Sequence, residues 1–349
     1  MKYILFIFIS LISFNLPEIV NAQNDNLNDY TKRENFVFPG KQFSGIEVNN
    51  EHGNITISAN TADTFQVKIL ISVKGTEEEF ASEILDKINI RKSERGQNLY
   101  LRTDFGDSFQ PNHPFSIHYD IQMPAQKALD IKNRFGDISI NSISGNQTIK
   151  LEYGQLVQKG IATIDSLNCD LSFVDAEFVN IRNAKLDLYN VNAQTKSIID
   201  GEISGKYCQI DLLNAGKIKI KTSTSRFSIG SIKRLSLKGD FCFTSIKNLS
   251  DTGDIEIANG LLIISSVSST LKELSIFNNN APINLSLPNN LSYTLHGEVT
   301  NGQFRHYAAK NFRIIRELDK ISFSGTINNE QSEASIVLFN ENAEIIIEE

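Results

Sequence analysis

Tryptophan is absent from this 349-residue chain, methionine occurs twice and cysteine three times. An odd number of cysteines with no CxxC phrase does not form a paired disulfide framework and does not match common zinc-site spacing. The absence of tryptophan weakens a carbohydrate-binding interpretation, although tyrosine and phenylalanine remain available. The formal net charge of -7 disfavours nucleic acid or an acidic membrane as a partner.

Long apolar runs are also missing, except at the N-terminus. Residues 3–14 are apolar, and small side chains suited to cleavage precede Gln23. This pattern predicts a secretory signal over residues 1–22 and an exported protein in the periplasm, at the cell surface or outside the cell. The alternative is a membrane anchor, but the run ends at Asn15, short of the roughly 20 residues that span a bilayer. No transmembrane segment is expected in the mature chain.

Residues 23–35 are polar and lack an apolar period, which predicts a flexible lead-in and a structured region beginning near Phe36. Residues 36–123 alternate at period two in several short runs, which predicts strands. One change of period lies within them. Thr76 to Glu79 resembles a capping box, and the four-residue spacing that follows predicts a helix over about residues 77–88. Its packing face would contain Phe80, Ile84, Leu85 and Ile88.

A short phrase recurs along the chain: a small residue, a polar one, then an apolar-polar-apolar triplet. Residues 124–302 are assigned to its main array. Its clearest copies begin at Gly53, Gly136, Gly216 and Gly253. The first core residue of each phrase recurs every 15 to 20 residues, at Ile138, Leu156, Leu171, Leu186, Ile203, Ile218, Leu235 and Ile255. Units this short cannot bury an apolar face alone, so stacking is required. The predicted fold class is all-β, a β-solenoid (β-helix) with a small N-terminal α+β cap, and the alternative is an antiparallel sandwich.

The repeat is interrupted near the C-terminus by a basic segment from Arg305 to Lys320. It is predicted to cover one end of the stack, with Phe312, Ile314, Ile315 and Leu318 packing there, because terminal repeats must be protected. Contact with an anionic polymer is the alternative. Residues 303–349 are therefore assigned to a C-terminal cap and the final strands, over residues 320–327, 334–339 and 343–347.

The polar positions of the repeats do not form a pair or cluster of carboxylates of the kind that an active site needs. Stacking would align Asp170, Lys185, Glu202 and Lys217 in one column of alternating charge, which is typical of cross-strand pairing on a solvated face. A glycan-active hydrolase or lyase would instead need carboxylates held together. Three acids in one groove would favour that enzyme, whereas a continuous exposed aromatic or apolar patch would favour a binding protein.

The cysteines and histidines also have structural interpretations. Cys169 and Cys208 occupy the small-residue slot that Gly136, Gly201 and Gly216 occupy elsewhere, so buried thiols are predicted for them and for Cys242. The five histidines lack metal-site spacing. No motif of hydrolase, protease or nucleotide chemistry occurs in its required context. Consequently no catalytic, cofactor-binding or metal residue is assigned, and no cofactor is expected.

Three segments carry a family resemblance: residues 53–57 with the following helix, residues 119–138, and residues 283–288 with 325–327 and the last strand. Together they resemble the secreted, β-helical repeat family of adhesin-like proteins of the DUF4097 type. The resemblance implies a non-enzymatic cell-envelope or extracellular protein that presents a repetitive β surface to an envelope, glycan or protein ligand. A glycan-active enzyme and a purely structural envelope protein remain alternatives, and the oligomeric state is open.

Overall fold

The computed structural model describes residues 27–107, 109–111, 113–306, 312–328 and 334–348. The predicted signal, residues 1–22, and the first four residues of the predicted lead-in lie outside this part of the chain. The described residues are almost entirely in β-strands, with a single α-helix α1 (Glu78–Lys87) and a short 3-10 turn (Gly40–Gln42). In chain order the strands are β1 (Asn28–Pro39), β2 (Gly45–Glu51), β3 (Ile55–Asn60), β4 (Thr64–Gly75), β5 (Ile88–Arg95), β6 (Asn98–Phe105), β7 (Phe115–Pro124), β8 (Ala128–Arg134), β9 (Ile138–Asn141), β10 (Gln147–Lys159), β11 (Thr163–Lys206), β12 (Gln209–Ile264), β13 (Glu273–Asn279), β14 (Ile283–Ser286), β15 (Tyr293–Thr300), β16 (Phe304–His306), β17 (Phe312–Arg316), β18 (Lys320–Ile327), β19 (Ala334–Glu341) and β20 (Ile345–Glu348).

The body of the protein is built by parallel pairing between segments that follow one another in the chain. Ile138 pairs with Leu156, Leu156 with Ala176, and Asn192 with Gln209, which are offsets of 18, 20 and 17 residues. Parallel pairing throughout this body excludes the antiparallel sandwich. Since one side of each strand is buried and the other exposed, the alternating pattern places apolar side chains inside and polar ones outside.

Strands β11 and β12 are long because the backbone remains extended on both sides of each bend, so that one strand continues through several bends. Contacts inside them join residues about one repeat apart: Asn183 donates to the Asp165 carbonyl at 3.1 Å, and Ser250 to the Ile232 carbonyl at 3.3 Å. Each therefore contains several consecutive repeats. The predicted repeat markers are correct from Ile138 to Leu156 but wrong at Leu171, because Leu156 pairs with Ala176. The period-two pattern is the same before and after a bend, so spacing alone did not reveal the bend.

The N-terminal end is interleaved. Strand β2 pairs with β6 on one side and β8 on the other, and β3 pairs in the same way with β7 and β9. Two strands that come early in the chain are therefore inserted between strands that come later. Outside them β4 pairs antiparallel with β7, and β1 pairs antiparallel with β4 over twelve residues. Residues 28–35 are thus part of a strand, and the prediction of a flexible lead-in is wrong there. Tyr30 packs against the core, a contact that the polar composition of residues 23–35 did not indicate, and so does Phe36, where structure was predicted to begin.

Helix α1 confirms the predicted change of period, but its packing face and its cap differ from the prediction. Ala81 and Leu85 are buried and Ile84 is partly buried, whereas Phe80 is exposed. The residue that precedes the helix is Glu77, whose side chain makes no capping hydrogen bond, so the capping box is not formed. Among the described residues no helix has the length and apolar character needed to cross a bilayer.

The C-terminal end repeats the interleaved arrangement. Strand β19 lies between β13 and β15, and β20 lies between β14 and β16. Beyond β15, the antiparallel strands β18 and β17 close this end. The last two strands, β19 and β20, therefore lie inside the stack of strands and not at its end. Of the residues predicted to cover the end, Phe312 packs on Phe304, but Ile314, Ile315 and Leu318 are exposed, so that part of the prediction is wrong.

Candidate binding surface

One bend of each repeat is made by a residue with left-handed backbone. These twelve residues follow one another from repeat to repeat and are called the corner column: His52, Phe135, Tyr153, Phe173, Asn190, Tyr207, Thr224, Phe241, Asn259, Asn280, Asn342 and Asn301, in spatial order. Their φ angles lie between 49° and 62°. Asparagine tolerates this conformation, but for bulky aromatic residues it is uncommon. Aromatic side chains at such positions therefore suggest a role that compensates for backbone strain.

Six rings line up along half of this corner and form what we call the aromatic ladder: His52, Phe135, Tyr153, Phe173, Tyr189 and Tyr207. Successive ring centroids are 5.0 to 5.7 Å apart. In the repeat whose corner residue is Asn190, the ring of the ladder comes from Tyr189, the residue just before the corner. The five phenylalanine and tyrosine rings are 40 to 46% exposed. The ladder is thus a continuous strip of accessible aromatic surface.

The rings differ in what they present to solvent. From His52 to Phe173 neighbouring planes are within 15° of parallel, so the faces cover one another and mainly the edges are accessible. Tyr189 is inclined at 73° to Phe173 and at 82° to Tyr207. Edge-to-face contacts leave faces of these rings uncovered by their neighbours. The part of the ladder around Tyr189 is therefore the part best suited to stacking with a ligand.

Polar side chains accompany the ladder. Immediately after the corner, the chain forms what we call the second face, residues 154–158, 174–178, 191–195 and 208–212. Its first outward column contains Gln155, Asp175, Asn192 and Gln209, as shown by the pairings of Gln155 with Asp175 and of Asn192 with Gln209. An aromatic column and an amide-carboxylate column therefore run side by side along the body.

Two depressions lie on the second face. The larger, of about 660 Å³, is lined by Glu177, Gln194, Asp211 and Ser228, with Leu213 and Lys196 at one side. The smaller, of about 430 Å³, lies against the ladder and is called the notch; its walls include Phe173 and Tyr207. Both are open, so each suits a ligand that lies on the surface.

A third depression near the C-terminal end contains the three acids that would favour an enzyme. Glu256, Glu298 and Glu341 line a space of about 460 Å³. Lys238 pairs with Glu256 at 2.8 Å and Lys320 with Glu298 at 2.5 Å. Glu341 lies opposite Thr300, which places it diagonally beside Glu298, at about 7–8 Å between backbones.

The predicted charge ladder is wrong in register. Asp170 lies opposite Lys150, Lys217 opposite Asp200, and Glu202 opposite Lys219. All four predicted residues point outward. For Glu202 and Lys217 the observed partner lies two residues from the predicted one, and because an even shift keeps a side chain on the same face, the error changes the column and not the face. Lys150 and Asp170 form an ion pair at 2.9 Å, which raises the pKa of Lys150.

The three thiols are buried, as predicted, and burial raises the pKa of each. Cys208 does share its slot with Gly136, one position after the corner, but Cys169 lies in the middle of a strand opposite Ile149. The His118 and His306 rings are partly buried, which lowers the pKa of each. Within the described ranges no three His, Cys, Asp or Glu side chains are grouped as metal ligands.

Sequence reasoning did not identify the aromatic ladder. Three of its members precede glycine, in His52-Gly53, Phe135-Gly136 and Tyr153-Gly154, which is the available local signal. The others precede valine, asparagine or cysteine, so the pattern emerges only when the corners are aligned.

Comparison with known proteins finds distant matches among solved structures. No family model and no curated protein matches the chain. Among solved structures, a "putative cell adhesion protein" from Clostridium sporogenes is 12% identical, with a TM-score of 0.21, over 91% of this chain and 99% of that one. "Putative adhesins" from Parabacteroides distasonis and Parabacteroides merdae are 9% and 11% identical, with TM-scores of 0.38 and 0.34. Each matches 73% of this chain, and 97% and 95% respectively of its own. Likeness at this level transfers no function, and the resemblance to the DUF4097-type family stays a prediction.

Proposed function

We propose that this chain is an exported, non-enzymatic, adhesin-like protein of the cell envelope, whose aromatic ladder and second face form the binding surface. The observation that carries the proposal is the ladder: five rings, each 40 to 46% exposed, in one unbroken strip. Exposed aromatic strips that the core does not require are typical of interaction surfaces.

The proposed architecture is a β-solenoid in which each parallel segment between equivalent corners is one coil. Supporting this are the offsets of 17 to 20 residues and the persistence of the corner along the body. A solenoid grows by adding coils, so its outer columns can be as long as a linear ligand requires. The interleaved segments, about residues 36–123 and 303–349, would cap its ends.

The test is a binding screen of the protein from residue 23 onward against a glycan array and whole-cell envelope fractions, with released products analysed by mass spectrometry. We expect retention without product. Retention should fall when Tyr189 is replaced by Ser, since Tyr189 is exposed and lies outside the strained corner column. Absence of retention on every fraction would contradict the binding role and favour a purely structural one.

A second candidate is a glycan-active hydrolase or lyase at the depression that holds Glu256, Glu298 and Glu341. Its specific support is the diagonal placement of Glu298 and Glu341 on one outward face. If the screen yields products, Glu298→Gln and Glu341→Gln should each abolish release. Asp254→Asn, which removes an exposed acid outside that depression, should not.

A further inference from the structure

The notch beside the aromatic ladder has a more specific composition than the rest of the surface. Phe173 and Tyr207 belong to coils on either side of the one that carries Asn190. Two strand spacings separate them, about 10 Å. The ring of the intervening coil belongs to Tyr189, one residue before the corner, and its centroid lies 5.5 Å from that of Phe173 and 5.7 Å from that of Tyr207. The notch is lined by Asn190 and not by Tyr189, so it lies on the second-face side of the Tyr189 ring, and both of its aromatic walls are more than 40% exposed.

The polar lining of the notch comes from short planar side chains. Asn190, Asn192, Gln209 and Asp175 all line the notch. Amide side chains offer both a donor and an acceptor, and a carboxylate offers acceptors only. Such a set suits a ligand rich in hydroxyl groups, each of which donates and accepts. Aromatic walls suit the apolar face of the same kind of ring.

Charge narrows the ligand class. Asp175 is the one ionisable acid or base that lines the notch within the described chain, apart from the phenol of Tyr207. The nearby Lys206 amino group lies 5.0 Å from the centre of the Tyr207 ring. Farther along the same face, the two acids Glu177 and Asp211 are accompanied by the two lysines Lys159 and Lys196. The strip therefore has no excess of positive charge that would attract a polyanion, and a neutral ligand needs none.

We propose that the notch between Phe173 and Tyr207 is a subsite for one sugar ring of a neutral polysaccharide, whose chain continues along the second face. The proposal rests on the binding role put forward above and names its ligand class. The sugar ring lies on the second-face side of the Tyr189 ring, against Phe173 and Tyr207, and its hydroxyl groups hydrogen-bond to Asn192, Gln209 and Asp175. Neighbouring sugar units follow the column of amides and carboxylates from coil to coil.

The test is affinity electrophoresis of the purified protein in gels that contain dextran, laminarin, galactomannan or hydroxyethyl cellulose, with polygalacturonate as the anionic probe. We expect at least one neutral polymer to retard the protein and polygalacturonate to have no effect. Phe173→Asn and Tyr207→Asn should each weaken retardation about tenfold, as expected when one wall of a binding pocket is lost. Asparagine is chosen because it already occupies Asn190 and Asn259 with the same left-handed backbone.

The matched control is Phe241→Asn, which removes a 59%-exposed corner ring outside the notch and should leave retardation unchanged. A second variant, Asn192→Trp, fills the notch from an exposed strand position and should abolish retardation without touching the corner. The proposal is overturned if no neutral polymer retards the wild type, if retardation survives both wall variants, or if Phe241→Asn is equally damaging. Envelope retention that persists in Tyr207→Asn and is not competed by any neutral polymer would overturn the sugar subsite and leave the binding role standing.

Discussion

Cys242 occupies the space beside Gly239: a β-carbon at Gly239 would lie 2.8 Å from the Cys242 sulfur. The two positions flank one corner, two residues before and one residue after Phe241. At Gly205 and Cys208 the same relationship recurs, with a corresponding distance of 3.6 Å. In coils where the first position is Leu151 or Asn133, the second is glycine. The two positions therefore share one volume inside each corner. Cys208 and Cys242 occur where the other position of the pair is glycine and leaves room for the sulfur atom.

The shared volume predicts a strong coupling. Gly239→Leu should destabilise the protein by about 1–3 kcal/mol or more through overpacking against Cys242. Cys242→Gly should restore the Leu-Gly combination of Leu151 and Gly154, so the double variant should be more stable than Gly239→Leu alone. A double-mutant cycle of urea midpoints should give an interaction of about 1–3 kcal/mol in this direction. Additive effects would contradict the shared volume.

The interleaved C-terminus predicts a long-range effect of truncation. Deletion of residues 334–349 removes β19 and β20, which join β13 and β14 to β15 and β16. Backbone hydrogen bonds on both sides are then lost, so amide protection should disappear across residues 293–306 and 312–327, although these residues remain in the chain. Hydrogen exchange with mass spectrometry measures this directly.

The control for the truncation is deletion of residues 27–39. Strand β1 pairs with β4 alone among the described strands and lies at the outer edge, so its loss should leave residues 128–306 protected. Protection of residues 293–306 and 312–327 that survives the C-terminal truncation would show that β15 and β18 are held by other contacts.

The ion pairs of Asp251 on the outer face should make a pH-dependent contribution to the stability of the fold. Arg234 donates to Asp251 at 2.6 Å and Lys272 lies 3.1 Å away, and these contacts lower the pKa of the carboxyl group. A lowered folded-state pKa means that the stabilisation is present above the ordinary carboxylate pKa, about 4, and is lost as pH falls through the folded value. Asp251→Asn should therefore lower Tm at pH 7 and have no effect near pH 2.

The effect at Asp251 should be small, since surface ion pairs are screened, and 1 M NaCl should reduce it further. Asp254→Asn serves as the control, because it removes a nearby exposed acid. An equal loss of Tm in the two variants would indicate a general charge effect in place of the specific contacts.

Sequence reasoning recovered strands and one helix because those depend on local periods. It placed Ile138 opposite Leu156 correctly, then failed at Leu171, since the alternation is identical on both sides of a corner. Corners themselves were hidden because Phe135 and Phe173 take a backbone conformation that propensity assigns to glycine or asparagine. The ladder and the notch depend on which corners align, and the interleaved ends depend on long-range pairing, so local sequence signals were not sufficient to predict them.

The buried amide of Asn133 provides the last prediction. Its Nδ2 donates to the carbonyls of Gly53 at 2.9 Å and Gly136 at 3.1 Å, and its Oδ1 accepts from Asn50 at 3.3 Å. Asn133 lies opposite Leu151 in the next coil, so leucine fits the column in size. On hydrophobicity alone, Asn133→Leu would stabilise the core.

We expect the opposite, because the substitution removes the Asn133 donor from the buried carbonyls of Gly53 and Gly136, while Asn50 keeps its hydrogen bond to the Ile117 carbonyl. Each such group costs about 1–3 kcal/mol. The urea midpoint of Asn133→Leu should therefore fall. Leu151→Met, a volume-conserving change in the same column, should cost less than about 1.5 kcal/mol. An unchanged or higher midpoint in Asn133→Leu would show that the amide network that joins the first coils contributes nothing beyond the volume it fills.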